Sequence, residues 1–193
     1  MLVAVNLILL LGVLFGDWKL GEVVGLFWAE SVVIGFYTLL KIGVIAKEGA
    51  IFFGMMFLWS FGFFTAVQFE FIYDLFVRGT NARGPAPGTL EALASLFLPI
   101  WPALLALFLV HGASFVQNFI ARREYEGATI DRLVTVPHLR MGLMQVTIFF
   151  GAWMVILLHS PMPALVLLVA LKVALDLKLM DPGSKSKTES ASD

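Results

Sequence analysis

The chain contains no cysteine and few charged residues, and these two shortages narrow its function before any motif is sought. Without cysteine there is no disulfide, no thiolate metal site and no thiol nucleophile. Charged residues are 14% of the sequence, against roughly 25% in an average soluble domain, and the net charge is −1. No basic face can form on that inventory, which argues against nucleic acid as a partner. Also missing are H-E-x-x-H, G-x-S-x-G, the phosphate-binding G-x-x-x-x-G-K-[ST] and the dinucleotide-binding G-x-G-x-x-G. No motif supports an enzyme, and no cofactor is implied.

What is abundant is apolar side chain. Of the 193 residues 60% are hydrophobic, and mean hydropathy is +0.91. The apolar runs are too many and too long for one soluble core, so lipid is the expected solvent. A spanning helix needs about 20 such residues at ~1.5 Å each. Runs at 2–16, 21–46, 51–77, 99–121, 138–159 and 161–180 reach or approach that length, the first being the shortest. They predict an all-α, polytopic transmembrane bundle of about six spans over residues 1–180. A disordered polar tail, "DPGSKSKTESASD" at 181–193, follows it. The hydrophobic start lacks a basic n-region and an A-x-A site, so it is expected to be retained rather than cleaved. Spans five and six, joined by "SPMP", are expected to form an antiparallel hairpin.

Six spans put both termini on one side, and the cations say which. Lys41, Lys47, Arg122, Arg123, Arg132, Arg140, Lys178, Lys185 and Lys187 group with the termini, against Lys19, Arg78 and Arg83 opposite. Nine against three predicts cytoplasmic termini in the cell membrane. Before span four, "GTLEALASLFLP" places Leu90, Leu93 and Phe97 on one helical face, with Pro99 and Pro102 behind it. It reads as a short interfacial helix on the outer surface, or equally as the start of span four. Trp18 and Trp101 would sit near that interface. Residues 122–132 read as a solvated loop whose arginines meet anionic headgroups. Glu70, Asp74 and Arg78 read as an i, i+4, i+8 ion-pair ladder. "GVLFG" and "GEVVG" share the G-x-x-x-G spacing that lets helix backbones approach closely. Packing of span one on span two is preferred over a homo-oligomer face. The bilayer is the partner the composition demands.

Polar residues inside the spans carry the functional information, because each charge near mid-bilayer costs roughly 2.5–3.5 kcal/mol. In "LFLVHGASFVQNFI" the residues His111, Ser114 and Asn118 fall at i, i+3 and i+7, one helical face, with Gln117 at its flank. Counting ~1.5 Å per residue from the span ends puts His111, Lys172, Ser60 and Gln145 about 16–20 Å deep. Glu30 lies a little above that layer, and Asp176 lies one turn from Lys172, where the i, i+4 pair can neutralise itself. Neither His138 nor His159 is expected near it, and one mid-membrane histidine is too few ligands for a metal site.

"GLFWAESVVIGFYTLLKI", "HGASFVQNF" followed by "REY", and "LVLLVALKVALDLKL" resemble the bacterial and archaeal multi-pass membrane family of unknown function DUF6498. The resemblance runs over nearly the whole chain without the tail. The family's W-A-E-N-like stretch is matched by Trp28, Ala29 and Glu30, with Ser31 replacing asparagine. Its H-x-x-S-F-x-x-N-like stretch is matched by His111, Ser114, Phe115 and Asn118, and its L-K-x-x-x-D-like end by Lys172 and Asp176. Where similar proteins often carry histidines in spans three and five, this chain has Ser60, Gln68 and Gln145. The resemblance therefore implies that a histidine-built metal or haem site would be absent or crippled here.

Two readings of the layer remain. In the first, Glu30, Ser60, His111, Ser114, Asn118, Gln145, Lys172 and Asp176 bind or conduct a small polar ligand, an ion or a proton. In the second, the same residues only lock helices together in a structural or scaffolding subunit. An intramembrane enzyme is the weakest reading.

Overall fold

The computed structural model describes residues 20–78 and 88–158, and every regular element among them is helical. Helix α1 spans Leu20–Ala46 and ends in a 3₁₀ turn at Lys47–Gly49. Helix α2, Ala50–Ile72, continues into a π-helical turn at Tyr73–Arg78. Helix α3 is Thr89–Phe97. Helix α4, Trp101–Ser114, continues into a second π segment at Phe115–Ala121. A 3₁₀ turn at Glu124–Gly127 leads to α5, Ile130–Leu158.

Three helical stretches are long and apolar enough to cross a membrane: Gly21–Arg78, Trp101–Ala121 and Ile130–Phe150. The first, 58 residues long, doubles back on itself. Lys47 adopts a left-handed φ of 45° at the bend, which redirects the chain. Beyond it, Gly35 lies against Phe61, Trp28 Nε1 donates to the Thr65 carbonyl at 2.8 Å, and Gly21 lies against Phe76. The α2 partner number rises as the α1 number falls, so the two helices are antiparallel.

Helix α4 runs parallel to α1. Tyr37 donates to the Phe108 carbonyl at 3.0 Å, and further along Lys41 Nζ sits 5.2 Å from the centre of the Phe119 ring. Helix α5 is antiparallel to α1, because Val24 and Phe27 share a core with Ile148, whereas Ile42 packs with Met141, Leu133 and Val134. Helix α1 is thus the central rod. From Gly21 to Ser31 every residue except Glu22 and Trp28 is buried. Two glycines allow this closeness: a methyl added at Gly21 would lie 2.8 Å from the Phe76 carbonyl oxygen, and one at Gly25 would lie 2.9 Å from Leu96. "GEVVG" therefore seats α1 against the end of the α2 arm and against α3.

The outer surface has the opposite character. On α2, Ile51, Phe52, Met55, Trp59 and Phe63 are exposed, Trp59 at 79%. A continuous apolar face of this size suits acyl chains and not water.

Several sequence expectations meet this architecture directly. Runs 21–46 and 51–77 coincide with α1 and the α2 arm, and run 99–121 with the α4 arm. The short α3 is separated from α4 by a bend at Leu98–Ile100, beside Pro99, so it is a distinct helix and not the first turns of α4. Its buried residues are Ala92 and Leu96, whereas Leu90 is 84% exposed.

One boundary differs by eight residues. The run expected to start at 138 belongs to a helix that starts at Ile130. Thr129 Oγ1 accepts the Arg132 N–H at 3.4 Å, which satisfies one of the helix's orphan donors. Pro137 lies inside the helix and does not begin it; it withholds one backbone hydrogen bond without ending the element. Of the ladder, Asp74 and Arg78 form an i, i+4 pair at 3.3 Å. Runs 2–16 and 161–180, "GVLFG", Trp18, the expected last hairpin and the tail at 181–193 lie outside the described residues.

Candidate functional site in the polar core

Because α1 is buried on nearly all sides in its first half, its polar residues must find partners on other helices. Glu30 is the extreme case. Its side chain is 4% exposed, and its Oε1 accepts a hydrogen bond from Arg140 Nη2 on α5 at 3.1 Å, Arg140 being 21% exposed. The pair joins residues 110 positions apart in the chain. The cation tally groups Arg140 with the cytoplasmic side, near the start of a run beginning at 138. The early start of α5 carries it instead about 15 Å along the helix.

Neighbouring polar groups are spent on helix contacts. Ser31 Oγ donates to its own helix at the Phe27 carbonyl, 3.3 Å, and lies 3.6 Å from Met144 Sδ. Gln68 on α2 is buried, and its Nε2 donates to the Met141 carbonyl of α5 at 3.1 Å, while its Oε1 has no hydrogen-bond partner among the described residues. Thr38 and Thr65 donate to carbonyls one turn back, at 2.9 and 2.7 Å.

Ser60 lies on the other side of the α2–α5 contact. Its hydroxyl is 3.2 Å from His138 Nε2, and the other ring nitrogen of His138 is 2.8 Å from the Val134 carbonyl. Phe57 and Phe61 meet the imidazole edge-on, with centroids 5.7 and 5.8 Å away. His138, set apart from the layer by sequence depth, is therefore the partner of one of its members. Sequence depth missed it because it was counted from a span starting at 138.

On α4, His111 is buried, and its Nδ1 is 3.0 Å from the Leu107 carbonyl. Ser114 and Asn118 are joined, Asn118 Nδ2 donating to Ser114 Oγ at 3.1 Å. Both are half-buried, and Gln117 is exposed, in keeping with a flank position. The α-helix gives way to π geometry at Phe115, immediately after Ser114. The wider turn rotates the later residues off the strict i, i+7 line that the sequence suggested. Gln145 is half-buried on α5. Lys172 and Asp176 lie outside the described residues. Among the described residues no group of three or more His, Asp or Glu could hold a metal ion.

These features define an all-helical protein whose helices are apolar enough to cross a membrane and whose central rod carries a paired charge. The chain belongs to the family described as "Family of unknown function (DUF6498)", whose model matches residues 1–192. No curated protein and no solved structure matches the chain.

Proposed function

We propose that this is an integral multi-pass membrane protein whose polar core binds or conducts a small polar solute, ion or proton, with Glu30 and Arg140 at its centre. The observation that carries this reading is the Glu30–Arg140 pair inside an apolar bundle. Apolar side chains of similar volume would hold α1 and α5 together at least as well, because desolvating two charges offsets much of their attraction. A charge pair kept at that expense suits a site that exchanges partners or protons. His111, Ser60, Ser114, Asn118 and Gln145 would extend the site along α4, α2 and α5, and Lys172 and Asp176 would close it from span six. The wider topology is six spans in the cell membrane with both termini cytoplasmic.

A second reading, a scaffold locked by polar contacts, is favoured by the interhelical bonds of Trp28, Tyr37 and Gln68, each to a carbonyl of a neighbouring helix. Proteoliposomes loaded with a pH-sensitive dye separate the two. After an external acid step, vesicles with the unaltered protein should equilibrate faster than empty ones, and the Glu30→Gln/Arg140→Gln double variant should lose that excess. Identical traces from protein-bearing and empty vesicles would leave the scaffold and a non-protonic solute, and native mass spectrometry for a co-purified polar solute then decides between them.

A further inference from the structure

Beside the Ser60–His138 contact one face of α5 forms a shallow, open groove of about 550 Å³. Ser60 and His138 sit in its wall, with Leu139, Gly142, Leu143 and Val146 continuing along α5. A depression this open suits a chain lying along the helix better than an enclosed small molecule. Three properties of the groove constrain what could enter it.

The first is its surroundings. Leu139 and Val146 are exposed, and so are Trp59 and Phe63 on the adjoining face of α2. Among the described residues nothing covers the groove, and in a bilayer its apolar rim would meet acyl chains, so its occupant must itself partition into lipid. The second is charge. Apart from the imidazole, none of the described lining residues is ionisable, so a charged headgroup would lose its hydration with no described group to neutralise it.

The third is the hydrogen-bond inventory of the polar pair. A carbonyl can only accept, so Val134 fixes the neutral ring's proton on Nδ1 and leaves Nε2 as an acceptor. The Ser60 hydroxyl has one proton and two acceptors within reach, His138 Nε2 at 3.2 Å and the Phe57 carbonyl at 3.3 Å. Whichever it serves, acceptor capacity is left over on Ser60 Oγ or on Nε2. The pair is short of a donor.

We propose that this groove binds a neutral lipid with a hydroxyl headgroup, the hydroxyl donating to the Ser60–His138 pair and the chain lying along Leu139, Leu143 and Val146. The site is separate from the Glu30–Arg140 pair and stands without it. It also accounts for Gly142, where an added Cβ would meet nothing within 4 Å among the described residues. The missing side chain there keeps the groove open instead of serving a helix contact.

The test uses the full chain in nanodiscs of zwitterionic lipid and two photoreactive probes, a diazirine-bearing long-chain alcohol and its methyl ether. Intact-mass spectrometry reads the labelled fraction. The alcohol should label saturably, with adducts mapping to residues 134–146. The ether, with the same chain and no donor, should label about fivefold less, the effect of one net hydrogen bond. Gly142→Leu puts a side chain into the groove from a position whose Cβ meets no described atom within 4 Å and should abolish saturable labelling, and the Ser60→Ala/His138→Phe double variant, which removes both acceptors, should erase the preference for alcohol over ether. Equal labelling of the unaltered protein by alcohol and ether would overturn the proposal, and so would undiminished labelling of Gly142→Leu. The probe comparison needs no substitution, so a variant that fails to fold does not rescue the idea.

Discussion

Arg140 of α5 donates to Glu30 of α1 at 3.1 Å, so the bundle holds a charge pair between residues 110 positions apart in the chain. Removing one member takes this ion-pair partner from the other inside an apolar bundle, and breaking such pairs typically costs about 3–5 kcal/mol. Arg140→Met and Glu30→Leu, made singly, should each lower thermal stability in detergent by several degrees. The double variant should recover more than half of the loss. A double variant as unstable as the worse single one would show that the two side chains are held by separate contacts.

The α1–α4 contact makes a second prediction. A methyl at Gly112 would lie 2.6 Å from the Tyr37 hydroxyl oxygen but 3.4 Å from its ring carbon, so the conflict is with the oxygen alone. Gly112→Ala should destabilise the unaltered protein. In a Tyr37→Phe background it should be neutral or slightly favourable, because alanine is the better helix former by about 1 kcal/mol. Tyr37→Phe itself forfeits one interhelical hydrogen bond, worth ~0.6 kcal/mol on average in membrane bundles. Additive losses in this cycle would mean that Tyr37 and Gly112 do not touch.

Which features were legible in the sequence follows from what sets them. Helices α1 and α2 were readable because about 20 apolar residues between polar breaks admit few other outcomes. Glu30 and His111 stood out because an ionisable group in such a run needs a buried partner. The partners themselves were not readable. Arg140 groups with the cytoplasmic-side cations and His138 falls outside the polar layer when span five is started at 138, yet Thr129 three residues before Arg132 carries the capping signal of an earlier start. Nor could spacing foresee the π segment after Ser114, since its register depends on packing and not on composition.

Gly21 and Gly43 should respond oppositely to alanine. At Gly21 the added methyl meets a backbone carbonyl, Phe76 O at 2.8 Å, which cannot rotate away, so the α1–α2 hairpin must open. At Gly43 an added Cβ meets nothing within 4 Å among the described residues, and relief of glycine's helix penalty should stabilise by about 0.5–1 kcal/mol. Melting of the two variants in the same detergent checks the sign of each. A stabilised Gly21→Ala would show that the two arms are not in close contact near their open end.

The absence of cysteine gives the topology a clean assay, because any thiol introduced is the only one present. Glu48 lies in the turn between α1 and α2, Glu126 in the turn before α5, and Glu91 on α3. If the α1 and α2 arms each cross the bilayer, Glu48 and Glu91 face opposite sides, and the α4 arm then returns Glu126 to the side of Glu48. In right-side-out vesicles a membrane-impermeant maleimide should label Glu91→Cys, and should reach Glu48→Cys and Glu126→Cys only after permeabilisation. The cation tally predicts that sidedness, since Lys47, Arg122 and Arg123 flank the two turns assigned to the cytoplasm. Labelling of all three from outside would mean that the hairpin lies along the surface. Full inversion of the pattern would keep the crossings and reverse the orientation.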